Sequence, residues 1–124
     1  ILTLSQKMNP DLALVVTTPQ ELSLLDSGRA INMAKTIRIP QIALIENMSG
    51  FTCPRCGEIV HLFGKDGGIK QAEEMKIRFL GSLPIEPQAR ELADQGLPIV
   101  KADPDSEISK KFFDIAREIV QMLR

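Results

Sequence analysis

The sequence predicts an α/β fold: a mostly parallel sheet with flanking helices and a cysteine knuckle inserted between its elements. Three observations predict it. Leu12 to Val16 and Ile42 to Ile45 are strand-length apolar runs without polar alternation, the pattern of strands buried on both faces. A helix-length segment separates them, so strand, helix, strand forms a βαβ unit. Downstream, Cys53-Pro54-Arg55-Cys56-Gly57 interrupts the alternation with the only two cysteines of the 124 residues.

The elements follow in order. Leu2, Leu4 and Met8 read as the last turns of an apolar helix whose beginning lies upstream. The first strand, Leu12 to Val16, is bounded by Asn9-Pro10-Asp11 and Thr17-Thr18-Pro19. Pro19 at the first helical position, with Thr18 as N-cap and Glu21 in the first turn, opens a helix to about Ile37. Leu22, Leu25, Ala30, Ile31, Met33 and Ala34 form its expected buried stripe. Pro40 stops further helix, and Ile42 to Ile45 is the second strand, ending at Glu46-Asn47-Met48-Ser49-Gly50. After the cysteine insert, a glycine-rich bend from Gly64 to Gly68 leads into a helix over Ile69 to Met75. Phe79 to Pro84 makes a third strand. Gln88 to Asp94 is a short helix ended by Gln95-Gly96. Beyond Pro104, Ile108, Phe112, Ile115, Ile119, Met122 and Leu123 recur at helical spacing and give a closing helix one apolar face. With no internal repeat or interdomain linker, residues 1–124 read as one domain and 50–63 as an insertion the sheet does not need.

Composition narrows the function classes. A chain of this length can bury a core without staples. With 25% charged residues and a formal net charge of −1, no basic field favours nucleic acid or an anionic membrane surface. The longest apolar runs are strand-sized and no cationic leader precedes them, so neither a membrane span nor a signal peptide is expected. Two cysteines at ligand spacing, without others to build a disulfide framework, fit a reducing cytoplasm.

The cysteine pair is half of a site. Structural zinc and the common iron-sulfur clusters take about four ligands, so two thiolates leave the other half to be supplied from elsewhere, most simply by a second copy of the chain. Pro54 fixes its own φ and Gly57 can adopt a positive one, so the segment reads as a tight knuckle that points backbone N–H groups at the sulfurs. Phe51-Thr52 and Ile59-Val60 flank it as short strand arms. A shared cluster or metal, structural zinc alone, and a redox or inert thiol pair all stay open. His61, the only histidine, is a candidate third ligand or a half-buried strand residue.

In open α/β sheets ligands sit beyond the carboxyl ends of the strands. Thr17-Thr18-Pro19, Glu46-Asn47-Met48-Ser49 and Leu83-Pro84-Ile85-Glu86 would line that rim. Asn47 offers donor and acceptor together, which suits an adenine edge, and it equally suits capping its own turn. The glycine bend is no phosphate loop: Phe63-Gly64-Lys65-Asp66-Gly67-Gly68-Ile69 sets Asp66 where a hydroxyl is required, and a flexible hinge is expected instead.

Val15 to Glu21, Ala30 to Met33, Ile45-Glu46-Asn47-Met48-Ser49, Cys53-Pro54-Arg55-Cys56-Gly57-Glu58, Phe63-Gly64 with Gly67-Gly68, Phe79 to Pro84 and Gly96 to Val100 together resemble the Mrp/ApbC iron-sulfur cluster carriers, across nearly the whole chain. The resemblance implies the C-terminal part of a P-loop NTPase fold of the MinD-like class, with Walker A and switch segments absent. It implies a homodimer joined through the cysteine insertion, a [4Fe-4S] cluster (or zinc in its place) held by Cys53 and Cys56 of both chains, and apoproteins as acceptors. It also implies that Asn47 contacts adenine with Pro84, Ile85 and Glu86 near the base, Glu86 standing where the family more usually has aspartate. ATP or ADP binding would then need the missing N-terminal half, and hydrolysis is not expected of this chain alone.

Overall fold

A computed structural model describes residues 2–124. The elements are α1 (Leu2–Lys7), β1 (Leu12–Thr17), α2 (Glu21–Thr36), β2 (Gln41–Glu46), β3 (Phe51–Thr52), β4 (Ile59–Val60), α3 (Gly67–Met75), β5 (Arg78–Ser82), α4 (Pro87–Asp94), α5 (Ile99–Ala102) and α6 (Glu107–Met122). β1, β2 and β5 form a parallel sheet in that order, and β3 and β4 pair antiparallel as a separate hairpin.

β2 is the centre of the molecule, and its alternation builds both cores. Ala43 and Ile45 join Leu80, Leu83, Ile99, Ile108 and Ile115 on the side of α4, α5 and α6. Leu44 turns to the opposite face and packs with Ile31 of α2 and Ala72 of α3. The chain is therefore three layers, with the sheet between two helical coats. A bulge between Leu44 and Ile45 shifts the β2–β5 register, so Leu44 pairs with Phe79 and Ile45 with Gly81.

Three expectations change. β1 is not buried on both faces: Leu14 is 42% and Val16 58% exposed. β1 is a sheet edge, and α6 packs over β5 instead of over β1. The stripe on α2 is also rotated. Leu22 is 73% and Leu25 55% exposed, and Met33 is exposed, while Ser27, Ile31 and Ala34, spaced four and three apart, are the buried residues. Ser27 is polar and escapes an apolar count, yet its hydroxyl donates to Gln71 Oε1 on α3. The third change is at the helix start. α2 begins after Gln20 with no side-chain cap, and the Thr18 hydroxyl donates to Ser23 Oγ at 2.7 Å instead of capping the helix.

Smaller differences have simple causes. α5 is one turn, too short to show a period in the sequence. Phe112 on α6 and Leu123 just beyond it are exposed at the margin of a stripe centred on Ile108 and Ile115. The glycine bend is packed, not a loose hinge: a Cβ on Gly67 would stand 2.9 Å from the Pro19 carbonyl oxygen and 2.8 Å from Leu24 Cδ1. Among the described residues no helix is long and apolar enough to cross a membrane.

Candidate functional site

The site has two parts on the carboxyl side of the sheet. The first is the β3–β4 hairpin, whose ladder pairs Phe51 with Val60 and Thr52 with Ile59. At its tip the Cys53 N–H donates to the Glu58 carbonyl at 2.8 Å and the Gly57 N–H to the Cys53 carbonyl at 2.9 Å. Gly57 has φ +75° and a Cβ there would meet nothing within 4 Å, so backbone conformation alone calls for glycine. Cys53 is half-buried, Cys56 is exposed, and both are free thiols. Hydrogen bonds from the backbone of Cys56, then of Arg55, and from the Cys56 thiol hold the Cys53 thiol below its ordinary pKa. This is the knuckle expected from the sequence, with N–H groups aimed at a sulfur.

His61 does not join the cysteines. Its Nδ1 lies 2.8 Å from the Ser49 carbonyl, and it follows the β4 arm as an exposed residue, not as a half-buried strand residue. Among the described residues no group of three or more histidine, cysteine, aspartate and glutamate side chains could hold a metal ion. A metal or cluster at Cys53 and Cys56 would take its remaining ligands from outside these residues.

The second part is the rim. Beyond β2 the chain continues to pair: the Asn47 N–H donates to the Thr17 carbonyl at 2.7 Å, Leu83 N–H to Glu46 O at 2.7 Å, Ser49 N–H to Leu83 O at 3.0 Å and Ile85 N–H to Gly50 O at 2.7 Å. This zipper sets Asn47 beside Pro84, Ile85 and Glu86 on the wall of one cavity of about 810 Å³, shared with Met48, Phe63, Leu97 and Phe112. Asn47 Oδ1 accepts the Met48 N–H at 2.9 Å, and Met48 has φ +56°, so the side chain does cap its own turn. The cap uses one lone pair; the second, and both Nδ2 hydrogens, have no partner among the described residues. Capping and base recognition are therefore compatible. Glu86 Oε1 accepts the Gln88 N–H at 3.2 Å and caps α4, with Pro87 at the first helical position.

One residue of this region was undervalued by sequence reasoning. Glu46, read only as part of the rim, is 2% exposed and its Oε2 accepts the Gly68 N–H at 2.6 Å near the start of α3. The carboxylate occupies a helix N-terminus that could otherwise receive an anion, which gives a physical reason why the glycine bend is no phosphate loop. A Cβ on Gly68 would stand 2.9 Å from both Glu46 Cβ and Oε2, so glycine lets the helix approach. The available signal was a paired glycine at a helix start with a carboxylate at the end of β2.

The family described as NUBPL iron-transfer P-loop NTPase, of the ParA group, matches residues 1–120. The chain belongs to this family. The iron-sulfur cluster carrier protein of Pyrococcus furiosus is 48% identical over all 124 residues, which are 42% of that protein's length. A nucleotide-binding protein of Archaeoglobus fulgidus, solved in complex with ADP, is 38% identical, with TM-score 0.65 over 77% of this chain and 39% of that one. The cell-division protein MinD of Aquifex aeolicus, at 23% identity, shows the shared fold, with TM-score 0.69 over 90% of this chain and 44% of its own. The chain thus spans about two fifths of the relatives it matches. In this chain the parallel sheet is β1-β2-β5, and the cysteine hairpin lies between β2 and α3.

Proposed function

We propose that these residues are the cluster-carrying and base-side part of an iron-sulfur cluster carrier. Cys53 and Cys56 supply two ligands to a [4Fe-4S] cluster that bridges two copies of the chain at their hairpin tips, and the cluster is cargo passed to acceptor apoproteins. The observation that carries this reading is the pair of free thiols at the hairpin tip, one with a lowered pKa, and no third ligand beside them among the described residues. The Pyrococcus relative's name, iron-sulfur cluster carrier, supports it. The free thiols agree with a reducing cytoplasm.

Asn47, with Pro84, Ile85 and Glu86, forms the base side of an ATP site. The free amide hydrogens of Asn47 on the wall of a mostly apolar cavity fit an adenine edge, and the ADP-bound Archaeoglobus relative supports that use. The phosphates would be held by residues outside these 124, so residues 1–124 act as a partial domain carrying the 50–63 insertion. This chain's own part is to orient the base.

Anaerobic reconstitution with ferrous iron and sulfide tests the cluster. Visible charge-transfer absorption should appear and vanish in Cys53→Ser and in Cys56→Ser; an unchanged double variant overturns the assignment. Elemental analysis of protein purified without oxygen separates iron from a zinc-bridged dimer. Thiol-disulfide exchange is tested by activity of the same variants with a disulfide substrate.

A further inference from the structure

The hairpin that presents the thiols bonds mostly to itself. Its ladder, the Cys53 amide on Glu58 and the Gly57 amide on Cys53 all close within residues 51–60. Among the described residues one side-chain hydrogen bond leaves residues 50–63, from His61 Nδ1 to the Ser49 carbonyl. A carbonyl only accepts, so Nδ1 carries a proton. The ring also packs on Gly50: a Cβ there would lie 3.5 Å from His61 Nδ1, 3.6 Å from Cε1 and 3.1 Å from Ile59 Cγ2.

The other end of that bond is tied to the base-side wall. Ser49 donates to the Leu83 carbonyl through both its N–H and its hydroxyl, each at 3.0 Å, and the Gly50 carbonyl accepts from Ile85. Asn47 lies two residues before Ser49, and Pro84 stands between Leu83 and Ile85. The Ser49 carbonyl that holds the imidazole thus lies on the same backbone run as Asn47, and that run is bonded to Leu83 and Ile85 on either side of Pro84.

We propose that His61 is a positioning residue that links occupancy of the base cavity to the hold of the hairpin on its cluster, through Nδ1–H to Ser49. The proposal rests on the base-side and cluster readings above and adds the residue that joins them. Linkage is reciprocal: a base that tightens or loosens the cluster is itself bound more or less tightly when the cluster is present.

Adenosine is the probe, because it offers base and ribose without phosphates. In the ¹⁵N-labelled apo chain, adenosine should shift the amides of Asn47 and of Cys53, Arg55, Cys56 and Gly57 with one apparent Kd. In His61→Ala, Asn47 still responds and the hairpin amides do not; His61→Gln, which returns an N–H donor, restores part of the hairpin response. In the reconstituted protein, saturating adenosine should change chelator-driven cluster loss at least about 5-fold in wild type and less than about 2-fold in His61→Ala. The proposal is overturned if the hairpin amides follow adenosine equally in His61→Ala, or stay still in wild type while Asn47 shifts. Failure of His61→Ala to load cluster at all makes the imidazole a ligand and overturns it as well. Silence at Asn47 removes the base-side reading and the linkage with it, while loss of cluster loading in Cys53→Ser is a separate readout that this result leaves intact.

Discussion

Gly68→Ala probes the contact that fixes the rim to α3. The new methyl would sit 2.9 Å from Glu46 Cβ, 2.9 Å from Glu46 Oε2 and 3.3 Å from Phe79 Cε2. Neither Glu46 atom is the far end of a loose chain, since the residue is buried and its Oε2 is already bonded to the Gly68 N–H. Overpacking of this kind costs about 1–3 kcal/mol. Loss of the hydrogen bond from the buried carboxylate adds about 1.5–3 kcal/mol, and the better helix propensity of alanine returns up to about 1 kcal/mol. Both losses come from one displacement and do not add in full, so a net destabilisation of about 2–4 kcal/mol is expected. Urea unfolding followed by far-ultraviolet circular dichroism suits a chain with no Trp and no Tyr. Gly57→Ala is the control: it meets nothing within 4 Å and carries only the strain of φ +75°, about 1 kcal/mol. If Gly68→Ala unfolds within about 0.5 kcal/mol of wild type, the close approach of Glu46 and α3 is not a determinant of this fold.

Two further outcomes follow from the same geometry. Hydrogen bonds to the Cys53 sulfur favour its thiolate in the folded chain, so the folded pKa lies below the unfolded one; the stabilisation is present above the unfolded value and is lost as pH falls through the folded value. Iodoacetamide labelling of the reduced apo chain should give a Cys53 inflection at lower pH in buffer than in urea, and coincident inflections would count against the knuckle geometry. In the core, Leu44→Ala should cost about 2–5 kcal/mol because Leu44 is fully buried against Ile31 and Ala72. Leu22→Ala, at a position expected from sequence to be core but largely exposed, should stay within about 0.5 kcal/mol by the same urea assay.

The parts of the fold legible in the sequence are those whose partners lie nearby in the chain. β2 could be read because Ile42 to Ile45 is an unbroken apolar run covered on both faces, and the hairpin because Cys53, Pro54 and Gly57 fix a local turn. Asn47 and Pro84 to Glu86 could be placed on one rim because strand ends in a parallel sheet share an edge. What sequence could not show depended on distant or missing neighbours. An apolar strand reads as two-faced whether or not a second layer covers it, so the exposure of Leu14 and Val16 had no local signature. Helical spacing on α2 fits more than one face, and the choice was made by Ser27 and Gln71, a polar contact 44 residues apart. Glu46 found its partner in a backbone N–H 22 residues on, and the paired glycines that let α3 approach are the one trace of that contact in the sequence.

The central claim is that one thiol pair completes its coordination by meeting the same pair in a second copy. Native mass spectrometry of the anaerobically reconstituted chain measures this directly. A bridging [4Fe-4S] cluster predicts a dimer carrying about two iron and two sulfide per chain, which reverts to a lower mass when cluster is removed and does not form in Cys53→Ser. A monomer that keeps a complete cluster, or a dimer of unchanged mass and iron content when Cys53 and Cys56 are both serine, contradicts it.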